Sequence, residues 1–223
     1  MNLKFPDWER SQKKIDQLQS AGVRFYQPGS CVVAEKVQIK SGTAILPNCR
    51  ILGKTTIGKN CQIGPDCLID NCQIGDDCQI VASCLEEAVI ESSVDIGPYS
   101  HIREGTVIKK SAHIGNFVET KNTEIGQSTR VGHMSYLGDA TVGQDVNVGA
   151  GAVVANFDGQ KKYQTKIGSG TQVGSDTILV APVSVGRNAK TGAGAVVIED
   201  IPDDALAVGV PAKVIKVRGV RIK

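Results

Sequence analysis

The sequence predicts an all-β fold built from hexapeptide repeats, on three observations. From Val33 onward an aliphatic residue returns every six positions, at Ile39, Ile45, Ile51, Ile57, Ile63 and Ile69. That beat matches neither the turn of an α-helix nor a coiled-coil heptad; a short fixed period marks a solenoid. Of 223 residues only 4% are aromatic, while 41% are apolar and 25 are glycine, so Val, Ile, Ala and Cys must fill the core. Such residues suit narrow, repetitive strand packing. Glycine also follows the aliphatic residue often (Ile63-Gly64, Val131-Gly132, Val173-Gly174), as a tight turn between short strands wants.

Three segments follow in order: a helix and linker over 1–26, the repeat domain over 27–203, and a strand with a basic tail over 204–223. Pro6-Asp7-Trp8-Glu9-Arg10 predicts a short helix capped by Asp7 and ending near Gly22. Its apolar stripe (Trp8, Ile15, Leu18) is thin, so the helix rests on something else. The beat takes a five-residue step from Ile69 to Ile74, continues to Ile80, and is irregular from Leu85 to Val94. It returns at Ile96 and runs through Ile102, Ile108, Ile114 and Thr120 to Val154. A thirteen-residue step then leads to Ile167 and inserts NFDGQKKYQTK, which must bulge outward. This loop carries Asn156, Asp158, Lys161 and Lys162, polar groups suited to line a cleft; a plain surface turn around Asp158-Gly159 is the alternative. After Val197, Ile201-Pro202-Asp203-Asp204 breaks the last coil, and ALAVGVPAKVIKVRGVRIK follows as a final strand.

Cys49, Cys61, Cys67, Cys78 and Cys84 each fall four residues after a repeat aliphatic residue, a small inward slot where a thiol acts as a small hydrophobe. No CxxC pair occurs, so the cysteines are read as packing rather than as metal ligands or disulfides. A net charge of +2 argues against an electrostatic grip on nucleic acid. No apolar run is long enough to span a membrane, and the first residues lack a secretory signal. The expected location is the cytosol, where the seven cysteines stay reduced.

Hexapeptide repeats of this kind resemble the left-handed parallel β-helix of the hexapeptide-repeat acyltransferases. The resemblance implies a triangular coil of three hexads, stacking at about 4.8 Å, and trimers as the usual assembly. Residues one coil apart then lie above one another. One row reads Asn116, His133, Ala150, Ser175, Ala193: a smooth track ending at a base, or small residues that merely suit an exposed corner. A second row stacks Arg103 and Lys121, which repel unless an anion lies between or beside them; a phosphate site and two solvated cations both fit. A third pairs Glu119 with Tyr136. The three histidines, His101, His113 and His133, do not stack into a three-His metal site.

The motifs GPYSHIREGT, IGNFVETK, VGHMSYLGDATVG, VNVGAGAVVANFDGQKK and VGSDTILVAPVSVG sharpen the likeness. Gly97 to about Val197 resembles the acetyltransferase domain of the bacterial bifunctional UDP-N-acetylglucosamine pyrophosphorylase/glucosamine-1-phosphate N-acetyltransferases. Carried over by position, the resemblance implies His133 as catalytic base, with Glu119 orienting the imidazole or binding a sugar hydroxyl. It implies Arg103, Lys121, Tyr136 and Asn147 as sugar-phosphate binders, with Lys162 on the same side. Ala150, Asn156, Phe157, Ser175 and Ala193 become the acetyl-CoA contacts. Two positions depart from the family: Phe157 stands where Tyr is usual, and the CoA-binding Arg near Gly209 is missing, leaving Lys213, Lys216 or Arg218 to replace its charge. The implied activity is acetyl transfer from acetyl-CoA to glucosamine 1-phosphate, in UDP-N-acetylglucosamine and cell-envelope precursor synthesis, by a homotrimer and without a metal. The nucleotidyltransferase domain of the family is not in this sequence, so uridylyl transfer is not expected. Acetylation of another phosphorylated or nucleotide-linked sugar, and a non-catalytic trimeric scaffold or sensor, are the alternatives.

Overall fold

A computed structural model describes residues 3–222. Strands mostly of two or three residues follow one another around a triangular prism. Arg24–Phe25, Val32–Val33 and Gln38–Ile39 start its three sides, and Ala44–Ile45 returns to the first. The sides are sheets of 13, 10 and 9 strands, here sheets A, B and C, parallel throughout except for the last two strands of sheet A, and together they form a left-handed parallel β-helix. The six-residue beat makes this wall because one inward aliphatic residue per strand repeats in register. In sheet A, Ile45, Ile63, Ile80, Ile96 and Ile114 are successive Cα partners, all at most 2% exposed.

The small inward slot is set by counting back two residues from the next aliphatic residue, not forward four. The two counts agree for six-residue steps and part at five-residue ones. Cys72, two before Ile74, is fully buried, and its thiol is pushed up to about 12 by burial. Cys84, at the forward count, is only half-buried, and Ser83 fills its slot instead. The slot selects for more than size. Its side chain donates to a backbone carbonyl at a corner of the prism, as Thr43 does to Gly58 at 2.8 Å, Thr129 to Gly143 at 2.7 Å and Cys61 to Gly75 at 3.1 Å. A thiol serves there as a weak donor as well as an apolar filler.

Most glycines after the aliphatic residue do not make the turns. The left-handed corner residues lie further on and are often Asn or Asp, such as Asn60, Asp66, Asn71, Asp77 and Asp145, which tolerate positive φ. The glycines answer the close stacking of coils: a Cβ on Gly115 would lie 1.8 Å from the carbonyl oxygen of Gly132.

The helix spans Trp8–Ser20, with the Asp7 carboxylate accepting from the Arg10 N–H at 2.9 Å. Its inward stripe is Ser11, Ile15 and Leu18, whereas Trp8 is 54% exposed and lies outside it. The helix covers the open end of the prism, and Ser11 Oγ accepts from the Val33 N–H at 2.9 Å. Ser11→Ala leaves that buried donor unpaired, at about 1–3 kcal/mol. Hydrogen exchange at the Val33 amide is expected to speed up accordingly; unchanged protection would remove Ser11 from the docking contact.

At the other end Ile201 still bridges Val185 in parallel, and Ala205–Val208 continues sheet A beside Lys190–Thr191. The tail is not one strand: Lys213–Val217 turns back antiparallel on Ala205–Val208, and Val220–Arg221 turns again. No helix among the described residues is long and apolar enough to cross a membrane.

Candidate functional site

The row begun by Asn116 and His133 lies along one edge of sheet A. Asn116 and His133 are Cα partners. Backbone hydrogen bonds carry the row upward: Gly151 N–H donates to His133 at 3.1 Å, Asp176 to Ala150 at 2.7 Å and Gly194 to Ser175 at 2.8 Å. His133, Ala150, Ser175 and Ala193 therefore share one line. Beside them runs a column of glycines (Gly115, Gly132, Gly149, Gly174, Gly192), so a groove floored by main chain rises from the imidazole. His133 is exposed, and its Nδ1 meets the Asn116 side-chain oxygen. An amide oxygen only accepts, so in the neutral ring Nδ1 carries the proton and Nε2 the lone pair. Asn116, read from the sequence as the foot of a ladder, is the group that orients the ring. Glu119 makes no hydrogen bond to the ring here; its carboxylate accepts from Arg103 Nη1 at 2.7 Å.

Around the next corner, sheet B stacks Arg103 over its neighbours in two columns. Ile102 and Thr120 are Cα partners, which sets Arg103 beneath Lys121, and Glu119 pairs with Tyr136. The cations are bridged rather than bare. Glu104 reaches Lys121 at 2.6 Å and Arg103 at 3.7 Å, and Glu119 holds Arg103. The Lys121 hydrogen bond holds the Glu104 carboxyl below its ordinary range, and the Glu119 hydrogen bond raises the Arg103 guanidinium. Sequence reasoning missed Glu104 because nothing in its spacing sets a corner carboxylate apart from a solvated one. Tyr136 lies across Gly138, where an added Cβ would come within 2.4 Å of the phenol oxygen and 2.7 Å of Asn156 Nδ2.

The inserted loop bulges outward as a hairpin. Phe157 bridges Lys162, and Asp158 accepts from the Gln160 and Lys161 N–H groups, which hold its carboxyl low. Asn156 is 7% exposed and turned inward, donating to Asp139 at 2.6 Å, while Asn122 donates to the other Asp139 oxygen at 2.6 Å. Asn156 thus anchors the loop instead of lining a cleft; Lys161 sits over Tyr163, and Phe157 and Lys162 stay exposed. Asp139→Ala strips two amides of their acceptor, one of them buried, at about 1–3 kcal/mol. The expected result is a lower unfolding midpoint with faster tryptic cleavage at Lys161 and Lys162; unchanged cleavage would refute the bracing role.

One chain does not gather every expected residue. Asn147 starts its strand in sheet A, beside Arg130 and Gln172, about 10 Å along the chain from Ala150 at strand rise. Asn156 and Phe157 follow Val153–Ala155 at the far edge of sheet B, away from the groove. At the groove's upper end Lys213 is held by Glu199 at 3.7 Å and Arg218 by Asp204 at 3.8 Å; Lys216 has no acidic partner among the described residues. The ridge between sheets A and B carries Tyr99, Phe117 and Met134, all exposed and all at positive φ, with the two rings stacked 5.5 Å apart. A cleft of about 800 Å³ beside the helix lies away from His133.

Comparison with known proteins bears on this arrangement. Residues 29–119 match the family described as the GMPPB C-terminal domain, and residues 164–199 match the bacterial transferase hexapeptide (six repeats). Over 205 residues the chain is 47% identical to the bifunctional protein GlmU of Fervidobacterium nodosum, covering 92% of this chain and 45% of that protein. It is 45% identical to GlmU of Thermotoga maritima, covering 92% and 46%, and 41% identical to that of a Nostoc species, covering 94% and 47%. The chain thus spans about half the length of these relatives. Among solved structures, the Arabidopsis UDP-N-acetylglucosamine acyltransferase superposes with TM-score 0.66 at 17% identity, over 83% of this chain and 72% of that one. The Francisella novicida UDP-N-acetylglucosamine acyltransferase does so with TM-score 0.54 at 21% identity, over 85% and 68%. These last two likenesses bear on the fold alone.

Proposed function

Because this chain belongs to the hexapeptide-repeat family of the GlmU acetyltransferase domain, we propose that it transfers an acetyl group from acetyl-CoA to the amine of glucosamine 1-phosphate. The observation that carries this reading is His133, whose Nδ1 is committed to Asn116, so that its basic Nε2 stands free at the foot of the groove. Bound acetyl-CoA supplies an activated acyl carbon. The groove suits its narrow pantetheine arm, because its floor is main chain edged by Ala150, Ser175 and Ala193.

The amine must lose a proton as it bonds to that carbon. His133 Nε2 takes it, and Asn116 stabilises the imidazolium that forms. As the carbon–sulfur bond breaks, the imidazolium protonates the leaving CoA thiolate, a role typically contributing about 10²–10⁴-fold. Arg103 and Lys121 hold the phosphate, which replaces Glu104 between them and fixes the amine's reach. Tyr136 and Glu119 address the sugar, and Ser175 with nearby N–H groups donates to the acyl oxygen. Asn147, Phe157 and Lys162 complete the site from an adjacent copy, with Asn156 bracing the loop that carries Phe157 and Lys162 and with Lys216 toward the CoA phosphates. A homotrimer of parallel prisms fits this division. The ridge of Tyr99 (63% exposed), Phe117 (56%) and Met134 (63%) is apolar surface that a neighbouring prism would cover.

In this reading residues 27–203 form the catalytic unit, working in the cytosol on UDP-N-acetylglucosamine precursors. Thiol release from acetyl-CoA should be rapid with glucosamine 1-phosphate and slow with glucosamine 6-phosphate or UDP-linked amino sugars. A reversed preference would assign another acceptor. No release with any of them would leave a binding scaffold.

A further inference from the structure

On sheet B, in the coil beneath Arg103, three side chains of different chemistry converge. Cys84 and His101 are Cα partners on adjacent strands, and Glu86 follows Cys84 two residues on, on the same outward side. The Cys84 thiol, a Glu86 carboxylate oxygen and a His101 ring nitrogen all lie within 4.8 Å of one another. Register sets this meeting: a two-residue step along a strand returns to the same face, and the histidine stands one rung above. The five-residue step at Ile80 makes it possible, because it turns Cys84 out of the core slot that holds Cys49, Cys61, Cys67, Cys72 and Cys78.

The surroundings offer these acids no unengaged cation among the described residues. Asp70 is the Cα partner of Glu86 one coil below, stacking two carboxylates. Among the described residues neither is paired with Lys or Arg, and the Glu86 carboxylate meets only His101, at 2.5 Å. Glu87 adds a third acid to the cleft of about 520 Å³ that these groups share with Arg103 and Glu104. Arg103 does not balance them, being engaged by Glu119 and Glu104. An ion pair between His101 and Glu86 accounts for two of the three groups and leaves the turned-out thiol and the stacked acids unexplained.

We propose that Cys84, Glu86 and His101 form a binding site for a borderline-soft divalent cation, with zinc the best match. Thiolate, imidazole and carboxylate together select zinc over magnesium or calcium, and three protein ligands leave a fourth position for water. Bonds of about 2.0–2.3 Å place tetrahedral donor atoms roughly 3.3–3.8 Å apart. The donor atoms, now within 4.8 Å of one another, close to that size as the thiol draws in and the Glu86–His101 contact opens. On binding, the Cys84 proton leaves to water and the sulfur donates its freed pair to the metal. The bound ion lies on the outward row of Asp70, Glu86, Arg103 and Lys121, and extends its positive half by one coil. The site stands on its own geometry and does not depend on the acetyl-transfer reading.

The test uses the untagged full chain, stripped with a chelator and titrated with Zn²⁺ against a chromophoric competitor and with Co²⁺ by absorbance. The expected result is one equivalent per chain, tetrahedral cobalt d–d bands, and a thiolate-to-cobalt charge-transfer band in the near ultraviolet. Cys84→Ser should abolish the charge-transfer band, and Glu86→Gln and His101→Gln should each weaken binding at least tenfold, with circular dichroism unchanged. Cys72→Ser, in the buried slot, should leave the band in place. Absence of the charge-transfer band in the native chain overturns the proposal, as does its survival in Cys84→Ser. Were Cys84→Ser to misfold, undiminished affinity in Glu86→Gln would overturn it equally.

Discussion

Replacing His133 with alanine is expected to lower kcat for acetyl transfer by about 10²–10⁴-fold, with little change in KM for acetyl-CoA. The imidazole is exposed at the foot of the groove, and Asn116 commits one nitrogen as donor, so only Nε2 can accept a proton. Nothing else of that kind lies on the row above it, where the side chains are Ala150, Ser175 and Ala193. Thiol release under saturating substrates measures the loss. Asn116→Ala keeps the base but frees its tautomer, so its kcat should fall less. A His133→Ala enzyme with native turnover would end the assignment.

Arg103→Ala and Lys121→Ala are each expected to raise KM for the amino-sugar phosphate by about 10–150-fold, the range of one charge-assisted hydrogen bond of about 1.5–3 kcal/mol. The reason lies in what remains: without Lys121, Glu104 faces the incoming phosphate with no cation of its own beyond the longer contact to Arg103. Glucosamine without its phosphate should be handled alike by native and variant proteins, which isolates the phosphate contribution. Because Lys121 holds the Glu104 carboxyl below its ordinary value, the bridge is fully present above the unfolded carboxylate range and is lost as pH falls through the depressed folded value. At neutral pH the acceptor therefore displaces a carboxylate, and Glu104→Gln should lower KM. Unchanged KM in both alanine variants would remove the pair from the acceptor site.

The prism is legible in the sequence because a single residue per hexad writes it. Ile63, Ile80 and Ile96 need no partner information to declare their side, and the rows through His133 and Arg103 follow by counting. Where steps shorten, the count alone misleads: it puts Cys84 in the core, whereas Ser83 takes the slot. Trp8 misleads for a related reason, since helical spacing finds a stripe, but the helix turns Ser11 inward because the end of the prism offers it an unpaired N–H. The partners of functional groups are the least legible part. Asn116 on His133 and Glu104 between two cations are contacts of side-chain direction, which a period cannot encode.

The glycine column of sheet A has a consequence for how such a surface changes with descent. A Cβ on Gly115 would strike the Gly132 carbonyl, one on Gly149 would come 2.5 Å from the Ser175 nitrogen, and one on Gly174 would come 2.6 Å from the Thr191 carbonyl oxygen. At these three positions a substitution would prise neighbouring turns apart, whereas a Cβ on Gly132, beside the imidazole, meets nothing within 4 Å. The recipient is addressed instead from sheet B, where Arg103 and Lys121 are side chains rather than main chain. A lineage of such prisms can trade one recipient for another while the passage beside the imidazole stays as it was.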